Sequence, residues 1–238
     1  MPECLEDLLM MRPPTADRPL LGVMILVVED SRFACDALRL ICQRSGARIR
    51  RAESLASATR HLRAYRPRIA IVDLGLPDGS GLSLISQLAG GDPRIDGIIA
   101  TSGDDSQADG AMAAGADAFM PKPLASVSAF QSAVLRLLPT DIRPSRVSPP
   151  PIDCVEPDPI ALKDDLSLAA ELLSGDPDGN TIDYVASFLK SLARSSGDDA
   201  IAGFGREIDA LRHGIGGSAK ARQIAARIRD QVGSLATV

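Results

Sequence analysis

Four places in this 238-residue sequence combine residue types able to do chemistry together: Glu29-Asp30, Asp73, Thr101-Ser102-Gly103 and Lys122-Pro123. Each sits at the end of a short apolar run: 23–28, 69–72, 98–100 and 118–120. Three carboxylates brought together repel one another and raise one another's pKa unless a cation lies among them. Oxygen donors with few protein contacts suit Mg²⁺. A carboxylate held against Mg²⁺ beside an ammonium is competent to accept a phosphoryl group, because metal and ammonium neutralise charge on the transferring group.

The surrounding pattern supplies the frame that could converge them. Residues 23–28 form a continuous apolar run of strand length, the mark of a strand buried on both faces. Strands are expected also at 47–51, 69–72, 98–100 and 118–120. Helices are expected at 31–44, 53–65, 82–88, 106–114 and 127–138. Strict alternation of five strands and five helices predicts a parallel sheet covered on both faces. In such a sheet ligands bind beyond the carboxyl ends of the strands, which is where the four sites fall. Alone, Glu29-Asp30 would serve equally well as a helix N-terminal cap and Lys122-Pro123 as a plain turn. Their common position is what points to one pocket.

Residues 1–21 contain Arg12-Pro13-Pro14 and Arg18-Pro19, which read as an extension with one short helical turn at 5–10. Residues 140–159, with Pro144, Pro149, Pro150, Pro151, Pro157 and Pro159, read as an extended linker. Beyond it the periodicity is helical. Stripes run through Leu162, Leu166, Ala169 and Leu173; Ile182, Val185, Leu189 and Leu192; Ile201, Phe204, Ile208 and Leu211; and Ile224, Ile228, Val232 and Leu235. Four short amphipathic helices pack as a small all-α bundle. The expected division is therefore 1–21 extension, 22–139 α/β domain, 140–159 linker and 160–238 helical domain.

The N-terminal half resembles the receiver domain of two-component response regulators. The landmarks are Val27-Val28-Glu29-Asp30-Ser31, Val72-Asp73-Leu74-Gly75-Leu76-Pro77-Asp78-Gly79, Thr101-Ser102-Gly103, and Gly115-Ala116-Asp117-Ala118-Phe119-Met120-Pro121-Lys122-Pro123, over roughly 22–139. The resemblance implies a five-stranded doubly wound, flavodoxin-like sheet. It implies Asp73 as the phosphorylated aspartate, Asp30 as a direct Mg²⁺ ligand with Glu29 assisting through water, and the Gly75 carbonyl as the remaining protein ligand. Ser102 would hydrogen-bond the acyl phosphate, Lys122 would pair with it, and Phe119 would be the aromatic that reorients on activation. Gly75 and Asp104 occupy the positions that tune phosphoryl lifetime in resembling proteins. A bacterial sensor histidine kinase or phosphotransfer protein would be the donor, and the chemistry would be limited to self-phosphorylation and autodephosphorylation.

The C-terminal segment is less explicit. His213-Gly214-Ile215-Gly216-Gly217-Ser218-Ala219 resembles the H-x-L-K-G-S-A signature of histidine phosphotransfer domains, with Gly216 in place of the lysine and one helix following. At 100° per residue His213 lies opposite Phe204, on a solvent face. Residues 160–238 carry nine Lys/Arg against eleven Asp/Glu, and no β-hairpin for a winged helix is visible. The basic stripe Lys220, Arg222, Arg227 and Arg229 reads as a solvated face rather than a DNA-reading one. The expected output is a helical module for protein contact or dimerisation. The alternatives are a phosphorelay transferase using His213, or a DNA-binding regulator.

Composition narrows the classes. Net charge is −5, from 26 Lys+Arg against 31 Asp+Glu, which argues against bulk attraction to nucleic acid. No apolar run approaches bilayer length, and the start lacks a signal-peptide pattern. The four cysteines form no C-x-x-C pair. Cys35 and Cys42 share a helix face about 10 Å apart, too far to bridge, and read as buried thiols. A soluble cytoplasmic protein is expected.

Overall fold

The computed structural model describes residues 13–175, 177–213 and 217–235. The expected turn at 5–10 lies outside them. The chain divides into two compact units. The first takes in the described residues up to Asp30 together with Cys35–Glu156, and the second takes in Ser31–Ala34 together with those from Pro157 onward.

In the first unit the chain alternates β1 (Met24–Val28), α1 (Arg32–Ser45, of which residues 32–34 are counted with the second unit), β2 (Arg48–Ala52), α2 (Leu55–Ala64), β3 (Ile69–Asp73), α3 (Gly81–Ala89), β4 (Gly97–Ser102), α4 (Ala108–Ala113), β5 (Ala118–Pro121) and α5 (Val127–Leu137). The strands form one parallel sheet in the order β2-β1-β3-β4-β5. This is the expected doubly wound receiver topology. The central strands are apolar on both faces because helices cover both. Ile25, Val27, Ile71 and Ile99 face one buried cluster with Leu38, Ile41, Phe130 and Val134. Leu26, Val28, Val72, Ile98 and Ala100 face the other, with Leu84, Ile85 and Ala111. Edge strand β2 instead carries exposed Arg50 and Arg51, side chains that discourage edge-to-edge pairing with another sheet.

Two details position the carboxyl end of β3. After Asp73 the chain makes a two-stranded antiparallel ladder, Gly75↔Ser80 and Leu76↔Gly79, which the sequence does not announce. Ser80 then caps α3 by accepting the Leu82 amide. Gly81 is required here: a Cβ at this position would lie 2.1 Å from the Asp73 carbonyl oxygen. Only glycine lets the start of α3 pass this close to the backbone of β3.

The segments expected as an extension and an extended linker are partly integrated into the first unit. Leu20 is fully buried, and its amide donates to the Ser45 carbonyl. Residues through Glu156 belong to this unit. Arg143 Nε donates to the Leu138 carbonyl at 2.7 Å, the Ser148 amide donates to the Ala16 carbonyl at 2.9 Å, and Val155 is buried in the α1/α5-side cluster. Prolines forbid a regular ladder but not docking of an extended strand-like segment.

The second unit contains α6 (Pro159–Ser174), α7 (Gly179–Ser196), α8 (Asp199–Asp209) and α9 (Gly217–Leu235), with a 3-10 turn Ala210–His213 after α8. Their apolar stripes meet in one cluster that includes Leu166, Leu173, Val185, Leu189, Ile201 and Ile228. Asp158, Asp178 and Asp198 cap the first three helices, each accepting a backbone amide of the first turn. Within this unit the buried Asp165 carboxylate accepts from Ser31 Oγ at 2.7 Å and from the Arg32 and Phe33 amides at 2.9 and 3.0 Å, which compensates its burial. No helix among the described residues is long and apolar enough to cross a membrane.

Candidate functional site

The carboxyl ends of β1, β3 and β5 bring together Glu29, Asp30, Asp73 and Lys122. All four are buried, with relative exposures of 1, 8, 4 and 2%. Each position follows from the sheet. The Glu29 amide continues the β1 ladder by donating to the Ala52 carbonyl at 2.9 Å. Asp73 is the last residue of β3. The Lys122 amide donates to the Ser102 carbonyl at 3.0 Å, which carries the β4–β5 pairing one residue past β5.

The Lys122 ammonium spans two carboxylates. Its Nζ lies 2.7 Å from Glu29 Oε2 and 3.3 Å from Asp73 Oδ1. Burial alone pulls the ammonium down, but the Asp73 and Glu29 carboxylates outweigh it and hold Lys122 charged, above its ordinary range. Burial pushes the Asp73 carboxyl up to about 7; the Lys122 charge opposes that shift and Glu29 adds to it. Glu29, Asp30 and Asp73 each offer an oxygen, and the three oxygens lie within 4.8 Å of one another. Ligands across a Mg²⁺ ion at ~2.1 Å bonds stand ~4.2 Å apart, so this oxygen-only set fits a shared centre of that kind. Three carboxylates against one ammonium leave a formal charge of −2, which one divalent cation would balance. Cys35, beside Glu29, and Cys42 are free and buried, and burial raises both, Cys42 to about 12, which disfavours the reactive thiolate.

The two hydroxyls at the end of β4 stand in different surroundings. Ser102 Oγ accepts the Asp104 amide at 3.0 Å, closing the loop after β4. Thr101 is the register partner of Asp73 across β3 and β4. Paired residues of parallel strands point to the same face. Thr101 is 1% exposed, and its Oγ1 has no hydrogen-bond partner. A buried hydroxyl without a partner is rare enough to need an explanation, and its place beside Asp73 gives one. Two adjacent hydroxyl residues do not reveal in sequence which of them faces the pocket; the register does.

Phe119, in register with Ala100, is half-buried against the cluster on the other face of the sheet. Gly75 is exposed beside the pocket, and a Cβ there would stand 3.8 Å from Asp73 Oδ2, so glycine leaves the approach to that oxygen open. His213 ends the 3-10 turn Ala210–His213; its side chain and residues 214–216 lie outside the described residues. Two of the four basic residues of α9 are engaged inside the helical unit. Arg227 Nη1 lies 2.6 Å from Glu207 Oε2 with its guanidinium over the Phe204 ring, and Arg229 donates to Ser174 Oγ.

Residues 25–133 match the family model of the response regulator receiver domain. The virulence transcriptional regulatory protein PhoP of Salmonella typhimurium is 36% identical over 115 residues, covering 47% of this chain and 51% of PhoP. The transcriptional regulatory protein PhoP of Escherichia coli O157:H7 is likewise 36% identical, over 47% of this chain and 52% of its own length. The chain thus spans about half the length of the curated relatives it matches. Among solved structures, the signal receiver domain of a signal transduction histidine kinase from Syntrophus aciditrophicus is 28% identical at a TM-score of 0.45, covering 49% of this chain and 89% of that one. The receiver domain of NtrX from Brucella abortus is 26% identical at a TM-score of 0.44, covering 49% and 98%. The acidic pocket at the strand ends lies wholly within the matched segment, and residues 25–133 are a response regulator receiver domain of the two-component type.

Proposed function

We propose that this protein is a phosphoacceptor response regulator that takes a phosphoryl group onto Asp73. The observation that carries the reading is the buried Lys122 ammonium, shared between Asp73 and Glu29 with Asp30 alongside. Asp73 attacks phosphorus with a carboxylate oxygen. One P–O or P–N bond to the donor breaks as the Asp73 O–P bond forms, and the donor leaves with the electron pair. Lys122 faces the developing charge on the phosphoryl oxygens, and the Thr101 hydroxyl, otherwise without a partner, has one of those oxygens within reach. Asp30 and Asp73 would hold Mg²⁺ directly. Glu29, engaged by Lys122 at 2.7 Å, would act through water. The ion supplies charge neutralisation at the transferring group. Its third protein ligand would be the Gly75 carbonyl.

The donor would be a sensor histidine kinase or a phosphotransfer protein, in the cytoplasm. The helical unit would act as a protein-contact or self-association module. Engagement of Arg227 and Arg229 within that unit favours a protein partner over DNA. With Mg²⁺ and a small acyl-phosphate donor, the chain is expected to gain one phosphoryl group by intact mass. Asp30→Ala is expected to lower Mg²⁺ affinity at least about tenfold by calorimetry, since it removes one of two carboxylate ligands. Unchanged Mg²⁺ affinity in that variant, or labelling that ignores Mg²⁺, would refute the site.

A further inference from the structure

The β5–α5 loop, Pro123 to Ser126, joins Lys122 to the first turn of α5. Its Lys122 end is fixed by the sheet. Its other end is held largely by a segment some twenty residues beyond the family match. Asp153 Oδ1 accepts the Ser128 amide at 2.7 Å, and Asp153 Oδ2 accepts from Ser126 Oγ at 2.8 Å. The Asp153 carbonyl accepts the Val127 amide at 2.8 Å, and the Val155 amide donates to the Ala125 carbonyl at 3.0 Å. Ser126 and Cys154 form an antiparallel bridge. On the far side Arg44 Nη1 donates to the Cys154 carbonyl at 2.9 Å and to that of Ile152 at 3.3 Å, while Val155 is buried in the core with 3% exposure. Residues 152–156 are therefore a clasp. One face grips the loop after Lys122, and the other is anchored on α1.

Ser126 already caps α5, accepting the Ala129 amide at 3.1 Å. Asp153 adds a second, charged acceptor on the same turn, and a carboxylate there is favoured both by the amides and by the helix dipole. Those bonds hold its carboxyl below the usual carboxylate range. The loop is four residues long, so a shift of the α5 turn is transmitted to Lys122 with little slack. Lys122 must sit within hydrogen-bonding distance of Asp73 to act.

We propose that Asp153 is a positioning residue for the phosphoryl-transfer site, holding the Lys122 loop in place, and that the clasp 152–156 is coupled in return to the phosphorylation state of Asp73. This inference rests on the phosphoacceptor reading. It extends that reading to a segment outside the family match and makes the connector part of the receiver rather than a passive tether.

The test uses the full chain, acetyl phosphate as donor, and three proteins: wild type, Asp153→Ala and Asp153→Asn. Asp153→Ala is expected to slow phosphorylation about tenfold, short of the ~10²-fold that a 1 Å misplacement of a reacting group can bring. Its Mg²⁺ affinity should stay within about twofold of wild type, because Asp30 and Asp73 are untouched. Asp153→Asn keeps an acceptor for the Ser128 amide and is expected to recover most of the rate. Independently of any variant, beryllofluoride bound to the wild type with Mg²⁺ is expected to change hydrogen exchange at the Val127 and Val155 amides. Failure of the wild type to label would remove the underlying reading. A wild type that labels, with Asp153→Ala labelling equally fast or with exchange at Val127 and Val155 indifferent to beryllofluoride, would overturn this proposal alone.

Discussion

The carboxyl end of the sheet and the interior of the helical unit handle polar groups in opposite ways. At the sheet end Glu29, Asp30, Asp73 and Lys122 are all buried within reach of one another, an arrangement that is expensive to desolvate. The helical core is lined by Leu166, Leu173, Val185, Leu189, Ile201 and Ile228, and its buried acid, Asp165, is bonded to Ser31 and to the Arg32 and Phe33 amides. A fold keeps a costly cluster of like charges where chemistry needs it and otherwise buries apolar surface. Among the described residues the buried charge cluster lies in the first unit.

The sharpest way to break this contrast is to damage each region at its centre. Lys122→Ala leaves Glu29 and Asp73 buried without their shared cation and is expected to destabilise the metal-free protein by roughly 3–5 kcal/mol. Leu189→Ala, at a fully buried position in the helical core, is expected to cost about 2–5 kcal/mol through lost contacts and a cavity. The two losses should differ in kind. Saturating Mg²⁺ should restore much of the Lys122→Ala loss in urea unfolding and none of the Leu189→Ala loss. Equal insensitivity to Mg²⁺ would mean the charge cluster is no more than another piece of core.

A smaller effect comes from pH. Asp73 rises from 3.8 to about 7 in the folded protein, so the native state holds this proton where the unfolded chain has released it. A raised folded pKa contributes stability that is complete below the unfolded value and lost as pH rises through the folded one. Without Mg²⁺, Asp73→Asn is therefore expected to be more stable than wild type at about pH 8, with the gap narrowing toward about pH 5. A gap that widens on acidification would contradict the charge assignment.

The smallest effect separates neighbouring hydroxyls. Thr101→Val removes a buried hydroxyl with no partner, and is expected to leave the resting protein as stable or up to ~1 kcal/mol more so, yet to weaken beryllofluoride binding. Ser102→Ala loses only the loop bond to the Asp104 amide, and its beryllofluoride affinity should stay near wild type. The reverse ranking would return the role to Ser102.

These two residues also show where sequence stops being sufficient. The alternation of apolar runs with helical stripes makes the parallel sheet and its flanking helices legible, because buried parallel strands admit little but Val, Ile, Leu and Ala, whereas the strand order comes only with the family resemblance. Glu29, Asp30, Asp73 and Lys122 are legible in the sequence because they share one kind of position, just past the end of an apolar run, although each alone has a plain structural explanation. Thr101 is not, because adjacent strand residues point to opposite faces and a one-residue change of register exchanges them. The clasp is not legible either. The prolines at 149–151 just before it signal the absence of a ladder, and its docking depends on Asp153 and Val155, isolated residues without periodicity. Helix ends shift for local reasons: α4 begins at Ala108 rather than 106 because Asp104 caps a 3-10 turn at 105–107 first. The His213 motif, with three glycines in the next four positions, gives no periodic signal that fixes its backbone.

The central claim is that phosphoryl chemistry belongs to the pocket of the first unit and to Asp73 in particular. Its most direct test is peptide-resolved mass spectrometry of the full chain after incubation with acetyl phosphate and Mg²⁺, with borohydride used to trap the acyl phosphate. The expected result is a trapped product at Asp73 in wild type and in His213→Gln alike, and none in Asp73→Asn. Label persisting in Asp73→Asn, or disappearing in His213→Gln, would contradict it.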